Sequence, residues 1–319
     1  MAKAKKFKGG KHKMKKTISI LLLIAMAISM VFAMTACGDS AEKIIVQTNA
    51  FFAPFEYYDG TEITGVDVEV MNMVGEKMGK EIEFVNVEFA AIIDNVAAGK
   101  VCDCGAAGIT ITDARKEKVD FSVPYYTSVQ YVIWAEGDDS IVTVNDEYVL
   151  WDALAGKKIG VQTDTTGAIY TDGEINATAA DESYGYDGVL YGTDTSMASF
   201  DNAQLAADGI TAQQIDVVII DQLPAQYIVD KNEGFKCLPL YYAGGEGEAD
   251  SPTEEQYAIC VTKGNTELLE AINEVLSELM VADENGETGV DKLLMKHMGL
   301  EYSVFYKRLL KGQFNEFYQ

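Results

Sequence analysis

Histidine is scarce in this sequence, which contains only His12 and His297 in 319 residues. Imidazole and thiolate side chains are the usual protein ligands of zinc and of most transition metals. One of the two histidines also lies in the lysine-rich N-terminus. The sequence therefore predicts no metal site and no cofactor.

Positive charge is scarce outside the first 36 residues. Eight of the 25 lysines and arginines lie in that segment, which contains no acidic residue, so the remaining chain has 17 basic against 50 acidic side chains. A field of that sign repels nucleic acid and anionic lipid headgroups. The composition argues against both as partners of the main body and mildly favours cationic solutes.

The N-terminus has the order of features that is typical of a secretory signal. Lysine-rich residues 1–16 precede an apolar run at residues 18–32, which are the positive and apolar regions of such signals. Residues 34–37, with the sequence MTAC, resemble the lipobox of bacterial lipoproteins. That resemblance implies that residues 1–36 are removed as a signal peptide and that Cys37 receives a diacylglycerol.

An uncleaved membrane anchor is the alternative interpretation of the same segment. Residues 18–36 are about long enough to cross a bilayer. Under either interpretation the lysines stay in the cytoplasm and the body lies outside. We therefore expect the protein on the outer face of the cell membrane, held there by the lipid on Cys37.

Four further cysteines follow Cys37. We expect small buried thiols at these positions, because two of the cysteines are separated by a single residue and the other two lie in apolar runs. A bridge between the last two is an open alternative. The four cysteines are Cys102, Cys104, Cys237 and Cys260.

The first part of the body alternates between apolar strands and amphipathic helices. Its patterns predict strands at 43–48, 81–87, 104–111 and 129–135, with helices at 66–79 and 89–99. This alternation predicts an α/β lobe with a largely parallel sheet.

A second unit of the same kind follows. Its patterns predict strands at 157–162, 197–200, 215–220, 235–240 and 257–261, a turn at 163–167 before a helix, a helix with Asp201 as N-cap, a helix with Pro224 in its first turn, a loop at 243–255, and a helix with Asn265 as N-cap.

Polar and aromatic residues lie where the predicted strands end. These positions are 49–55, 108–112, 164–166 and Asp221, with Arg115 one helical turn further on. Ligands of open α/β sheets bind beyond the carboxyl ends of the strands. A guanidinium can hold a carboxylate, and a carboxylate can hold an ammonium. The set therefore suits an amino acid zwitterion.

Several ordered motifs resemble family 3 extracellular solute-binding proteins, which serve ABC importers of polar amino acids. The resemblance extends over about residues 43–298, and its most diagnostic part is AGITITDAR. The segments that carry it are 48–56, 65–69, 107–115, 119–126, 156–162, 216–221 and 255–257.

The resemblance implies an α/β, two-lobed periplasmic-binding-protein-like fold (type II) that closes on its ligand like a hinged clamp. Lobe one would comprise residues 43–134 and 254–300, and lobe two residues 135–253. The implied partners are an amino acid ligand, an ABC permease and its ATPase, and the membrane through the lipid anchor.

The same resemblance implies roles for individual residues. Arg115 would grip the ligand carboxylate, helped by Thr110 and the amide of Thr166. Asp221 would accept from the ammonium, and Gly108 would offer its backbone carbonyl. The further candidates are Phe52 and Phe89 around the ligand side chain, Thr165 in the turn, and Asn49, Glu56, Gln162 and Thr163 as selectivity positions.

Simpler interpretations stand beside these roles. Arg115 could be a solvated helix charge, Asp221 could cap the helix that follows it, and either phenylalanine could belong to the core. We expect Glu56 to be structural or exposed.

Three departures from the family pattern affect the expected site. Asp164 stands where the family usually has glycine, near the expected ligand carboxylate. The turn at 101–103 is one residue longer than usual, and residues 170–196 form a long insertion. Residues 301–319 extend beyond the usual family end. We expect an amphipathic helix there, either packed on lobe one or docking to the membrane or permease.

The functional hypothesis is a binding protein that carries out no chemistry. The alternatives are a ligand sensor that feeds a separate signalling chain and a dehydratase on the same fold, which would need a positioned general acid or base. Aromatic walls with polar edges suit several ligands, namely arginine, lysine, histidine, glutamine and cystine.

Overall fold

The computed structural model describes residues 42–181 and 184–299. Its strands are β1 Lys43–Thr48, β2 Phe51–Phe52, β3 Glu56–Asp59, β4 Glu62–Thr64, β5 Glu81–Asn86, β6 Cys104–Gly105, β7 Asp120–Phe121, β8 Tyr126–Ala135, β9 Val149–Leu150, β10 Lys158–Gln162, β11 Ser196–Phe200, β12 Val217–Asp221, β13 Phe235–Tyr242, β14 Ser251–Pro252, β15 Glu254–Tyr257 and β16 Cys260–Val261.

The helices lie between these strands. They are α1 Val66–Met78, α2 Phe89–Ala98, α3 Asp113–Lys116, α4 Thr166–Asn176, α5 Ala203–Thr211, α6 Gln222–Lys231, α7 Thr266–Leu279 and α8 Gly289–Met298, with a 3₁₀ turn at Trp151–Leu154.

The first sheet has the strand order β5-β1-β6-β16-β7. Strand β1 is parallel to β5 and β6, whereas β16 is antiparallel to β6 and β7. Four of the five strands, all except β16, therefore run in the same direction, which confirms the predicted largely parallel sheet. Helix α1 ends at Gly79 in the left-handed conformation, as expected of a glycine C-cap, and packs on α7 through apolar side chains that include Met71 and Ile272.

The second sheet has the order β11-β10-β12-β8-β13-β14. Strand β10 is parallel to its neighbours β11 and β12, and β8 is antiparallel to β12 and β13. Trp134 and Trp151 are almost fully buried against Val161 and Ile219 in the core of this sheet. Buried apolar side chains of both sheets, among them Val46 and Val218, also belong to one shared cluster. The chain has the two-lobed α/β fold. Below, the first lobe is the one built on the first sheet and the second lobe the one built on the second.

Strand β8 connects the two lobes. Its residues 126–129 pair with β15, and its residues 130–135 pair with β12 and β13 of the second sheet. Strand β15 then leads back to β16 of the first sheet. The chain therefore passes between the lobes along two neighbouring antiparallel strands, within which the predicted limits at 134 and 254 fall.

Some predicted elements differ from the structure. The run at 104–111 forms a strand only at β6, because the chain turns at Gly108, which has φ +53°. Helix α5 is capped by the side chain of Asn202 and not by Asp201. The loop at 243–255 contains β14 and the start of β15, and the run at 257–261 is divided between β15 and β16.

The cysteines of the described residues are all free thiols, so the open alternative of a Cys237–Cys260 bridge is wrong. Three are buried as expected, whereas Cys237 is half-buried. The predictions for the signal peptide at 1–36, for Cys37 and for the tail at 301–319 lie outside the described residues.

Candidate functional site

A cavity lies between the two lobes, and the space within it and at its opening to solvent is about 300 Å³. Eleven residues line it, from the ends of strands and the starts of helices in both lobes. They are Asn49, Phe52, Glu56, Phe89, Gly108, Thr110, Arg115, Gln162, Thr165, Thr166 and Asp221.

The structure brings together eleven of the twelve candidate positions that the sequence analysis names. The exception is Thr163, which does not line the cavity formed by the described residues. Its exposed hydroxyl instead donates to the carbonyl of Phe200 at 3.1 Å. Glu56, a candidate selectivity position that we nevertheless expected to be structural or exposed, lies on the cavity wall. No described residue of the insertion at 170–196 lines this cavity.

Arg115 is held in the cavity by the short helix α3. The hydroxyl of Thr112 accepts from the Arg115 amide and so caps that helix. The guanidinium donates to the carbonyls of Thr110 and Asp164, each at 2.9 Å. A guanidinium has five N–H donors, so donors remain beyond those two bonds. The side chain is only 7% exposed, which excludes a solvated helix charge.

Electrostatics around Arg115 favour a bound anion. Burial lowers the pKa of the guanidinium, while Glu255 and Asp221 act in the opposite direction. The guanidinium also lies 5.4 Å from the centre of the Phe89 ring, within the range of a cation–π interaction. A carboxylate in the cavity would replace part of the solvation that burial removes.

Asp221 ends strand β12 and is 3% exposed. It stands at the N-cap position of α6, yet within the described part of the chain its side chain makes no capping bond. It instead accepts a hydrogen bond from the Tyr257 hydroxyl. Burial raises the pKa of Asp221 well above its usual value, and the charge of Glu255 adds to this effect. A cationic group in the cavity would restore its charged form.

Glu56 is completely buried, and its carboxyl group lies against that of Asp67. Burial raises the pKa of both acids, and the hydrogen bond between them raises the pKa of Glu56 and lowers that of Asp67. The Asp67 oxygens also accept from the Gly108 amide at 3.0 Å and from the Tyr125 hydroxyl at 2.6 Å. Glu56 is therefore the acid of this pair that keeps the proton when no cation is present.

The amide side chains of Asn49 and Gln162 meet across the cavity. Gln162 Nε2 donates to Asn49 Oδ1 at 3.0 Å, and Asn49 Nδ2 donates to the carbonyl of Val87 at 2.8 Å. The first of these bonds joins the end of β10 to the end of β1. Together with the bond from Arg115 to Asp164, it holds the lobes in a closed arrangement.

The start of helix α4 forms another part of the wall. Thr165 is its N-cap, and its hydroxyl accepts from the Ala168 amide and donates to the Gln162 carbonyl. The first amides of a helix have no partner within it and attract anions. Thr166, the first residue of the helix, lies 3.4 Å from Thr110 between their hydroxyl oxygens.

Phe52 and Phe89 contribute the apolar part of the wall. Phe52 packs on Phe55 and Tyr257, with ring centroids 5.9 and 6.2 Å apart, and is 7% exposed. Phe89 is only partly buried beside Arg115. Phe52 thus belongs to the core and to the cavity at once.

Comparison with known proteins gives this arrangement its context. Residues 44–289 match the bacterial extracellular solute-binding proteins, family 3. The chain belongs to this family.

Curated relatives and solved structures of family 3 agree with that assignment. The arginine-binding extracellular protein ArtP of Bacillus subtilis is 30% identical over 87% of this chain and 96% of its own. A probable histidine-binding protein of Neisseria gonorrhoeae is 28% identical over 84% of this chain and 92% of its own. An ancestral arginine-binding protein bound to arginine is 30% identical, covers 81% of this chain and 98% of its own, and has a TM-score of 0.61.

Two further observations describe this family 3 protein. Within residues 42–181 and 184–299, no helix is long and apolar enough to cross a membrane. Over the same residues, no group of three or more histidines, cysteines or acids is arranged to hold a metal ion.

The sequence predicts no role for Glu255, although this residue lies in the segment 255–257 that resembles the family. Glu255 is 4% exposed and contacts the hydroxyls of Thr110 and Thr166. The sequence contains one signal for its burial, since it lies two residues before the buried Tyr257 and so on the same face of strand β15.

Proposed function

We propose that this protein is the extracytoplasmic receptor of an ABC importer for a polar amino acid, and that the preferred ligand has a cationic side chain. The observation that carries this proposal is that Arg115 and Asp221 both lie on the wall of one cavity. The names of relatives that bind arginine or histidine support the same class of ligand.

Residues of both lobes would hold the α-carboxylate and the α-ammonium of the ligand. Arg115 keeps free donors for a carboxylate, and the start of α4 adds amide donors and the positive end of its dipole. Asp221 offers a carboxylate to the ammonium. Phe52 and Phe89 would contact the aliphatic part of the ligand side chain.

Glu56 supports a cationic side chain. The cavity wall contains one guanidinium, Arg115, and two carboxyl groups, Asp221 and Glu56. A neutral zwitterion would occupy Arg115 and Asp221 and leave Glu56 and Asp67 side by side as two buried acids that share a proton. Because a nearby cation favours the charged form of a buried acid, a ligand that carries a guanidinium, ammonium or imidazolium group should bind more tightly than glutamine.

The test is a thermal-shift screen of the purified protein against the twenty amino acids, ornithine and cystine. Ligand at about 100 times its dissociation constant stabilises the native state by roughly 2.7 kcal/mol. We expect the largest rise in unfolding temperature with arginine, lysine, ornithine or histidine. Arg115→Met should abolish that rise, whereas Lys116→Met, an exposed lysine of the same helix, should retain it.

Two outcomes would count against the proposal. If folded, ligand-free protein responds to none of these compounds, a sensor of another ligand class becomes the better hypothesis. If the protein converts an aromatic amino-acid precursor, the dehydratase hypothesis replaces binding without chemistry. The binding hypothesis expects no turnover.

We also propose the location and partners that the sequence implies. Residues 1–36 would be cleaved, Cys37 would be lipidated, and the lobes 43–134 plus 254–300 and 135–253 would deliver the ligand to a permease and its ATPase. Expression of the full chain in a bacterium that processes lipoproteins tests the anchor. A diacylglyceryl mass on the N-terminal peptide is expected, and Cys37→Ser should lose it and release the protein from membranes.

A further inference from the structure

Glu255 lies behind the cavity and not on its wall. It is on β15, where it pairs with Ser128 of β8, and it is not one of the residues that line the cavity of the described chain. Acidic side chains are almost never fully buried unless they are paired. The contacts of Glu255 therefore indicate what it does.

Both carboxylate oxygens of Glu255 accept hydrogen bonds. Oε2 accepts from the Thr110 hydroxyl at 2.6 Å and from the Thr166 hydroxyl, and Oε1 accepts from Nε2 of Gln130. Thr110 belongs to the first lobe, Thr166 to the second, and Gln130 to the connecting strand β8. One carboxylate thus joins three parts of the chain around the cavity.

The direction of these bonds determines what the two threonines offer to a ligand. A hydroxyl group has one proton and two acceptor lone pairs. Because Thr110 and Thr166 both give their proton to Glu255, each oxygen is left to act as an acceptor in the cavity that both residues line. Acceptors attract an ammonium and repel a carboxylate.

The hydrogen-bond donors around Glu255 favour this direction. Burial raises the pKa of Glu255, and the bonds from Gln130 and both threonines and the charge of Arg115 offset part of that rise. An ionised carboxylate has no proton to give, so both hydroxyls must donate to it. The two threonine oxygens are 3.4 Å apart, which allows one ammonium to contact both.

We propose that Glu255 is a positioning residue of the ligand cavity: it takes the hydroxyl protons of Thr110 and Thr166 so that both oxygens accept from the α-ammonium of the bound amino acid. This inference rests on the proposed function. It also gives the Thr110 hydroxyl a part of its own, whereas the family resemblance assigned to Thr110, without naming an atom, a helping role at the ligand carboxylate. Arg115 and the amides of α4 remain for the carboxylate.

The test compares two probes that differ only at the ammonium. These are arginine and 5-guanidinopentanoate, which lacks the α-amino group but keeps the carboxylate and the guanidinium. Their dissociation constants are measured calorimetrically for wild type, Glu255→Leu and Glu255→Gln. Glu254→Leu is the matched control, because Glu254 is the exposed neighbour on the same strand.

We expect Glu255→Leu to weaken arginine binding about 10- to 100-fold, as for the loss of a hydrogen bond to a charged group, and to weaken 5-guanidinopentanoate less than about threefold. Glu255→Gln should retain most of the arginine affinity, since its amide oxygen still accepts both hydroxyl protons once Gln130 turns its own oxygen towards it. Glu254→Leu should change neither probe.

Equal losses for the two probes would overturn the proposal, because they would show a merely structural role, and so would unchanged arginine binding in Glu255→Leu. A second measurement covers the case in which wild type binds no amino acid and the proposed function fails. The losses in urea midpoint caused by Glu255→Leu and Thr166→Val should then not add in the double variant. Additive losses would contradict the proposal, because they would show that Glu255 does not fix the direction of the hydrogen bond from the Thr166 hydroxyl.

Discussion

The guanidinium of Arg115 donates to the backbone carbonyl of Asp164 at 2.9 Å, and this bond crosses from the first lobe to the second. Asp164 adopts the left-handed conformation, with φ 59°, at the position where the family usually has glycine. The residue that would hold the ligand carboxylate therefore also holds the lobes together. Ligand binding and closure should depend on the same side chain.

Replacing Arg115 by lysine tests that double role. Lysine keeps the positive charge but lacks the planar fork, so it cannot hold the carbonyls of Thr110 and Asp164 and a ligand carboxylate at the same time. We expect arginine binding to weaken by about 10- to 100-fold in calorimetric titration, with the fold unchanged by circular dichroism. Wild-type affinity in Arg115→Lys would show that charge alone is sufficient.

Glu56→Gln tests the selectivity for a cationic side chain. Glutamine at this position keeps the shape and removes the charge that would face a guanidinium. We expect arginine affinity to fall by about 10- to 100-fold and glutamine affinity to change by less than about threefold. Competition titrations with both amino acids measure the ratio. Glu62→Gln, at an exposed position of β4, is the control, and an equal loss for both ligands would contradict the assignment.

Gly108→Ala should destabilise the protein and weaken ligand binding. Gly108 has φ +53°, and a methyl group there would lie 2.5 Å from the Phe52 ring. Gly79→Ala is a matched control, because its φ is +65° but no atom lies within 4 Å of the added carbon. The control should lose about 1–2 kcal/mol from backbone strain. Gly108→Ala should lose about 1–3 kcal/mol more because of overpacking, as measured by urea unfolding.

The unfolding free energy of the ligand-free protein should fall as the pH rises from about 4 to about 6, because of Asp67. Burial raises its pKa from 3.8 to about 6, although the bonds from Tyr125 and Gly108 act against this rise. Between those two values the folded state binds more protons than the unfolded state. The derivative of the unfolding free energy with pH is then negative. The contribution amounts to about 3 kcal/mol across the window.

Urea unfolding at a series of pH values, with Asp67→Asn beside wild type, isolates this effect. The variant should lack the negative contribution, so the difference between the two unfolding free energies should change across pH 4 to 6 and be constant above it. Parallel curves would show that Asp67 titrates at its ordinary value in the folded protein.

The sequence alone was enough to predict the candidate residues at the strand ends. Arg115, Asp221 and Thr166 lie at or just after the end of an apolar strand or at the start of a helix, which spacing shows, whereas Gln162 became a candidate through the family resemblance. The carboxyl ends of parallel strands then meet at one edge by topology. Two helix caps also depend only on residues close in the chain, and both predictions are confirmed. They are the N-cap at Asn265 and the left-handed C-cap of α1 at Gly79.

The limits of the elements and the pairing of the strands were harder to predict from the sequence. Residues 106–111 have the composition of a strand, but the turn at Gly108 is fixed by its bond to Asp67 on another element. Strand β16 is an antiparallel strand between β6 and β7 in an otherwise parallel sheet. Its pairing depends on the route of the chain between the lobes, which no local pattern encodes.

The sequence by itself determined the α/β class, the two units and most of the residues around the cavity, because periodicity, caps and strand ends are properties of short segments. Only the tertiary structure decided that Thr163 faces away from the cavity, that Glu56 faces into it and that Glu255 holds Thr110. Glu255 and Thr110 are 145 positions apart in the chain. Contacts over such distances form only when the chain has folded, so the direction of their hydrogen bonds depends on packing and not on spacing.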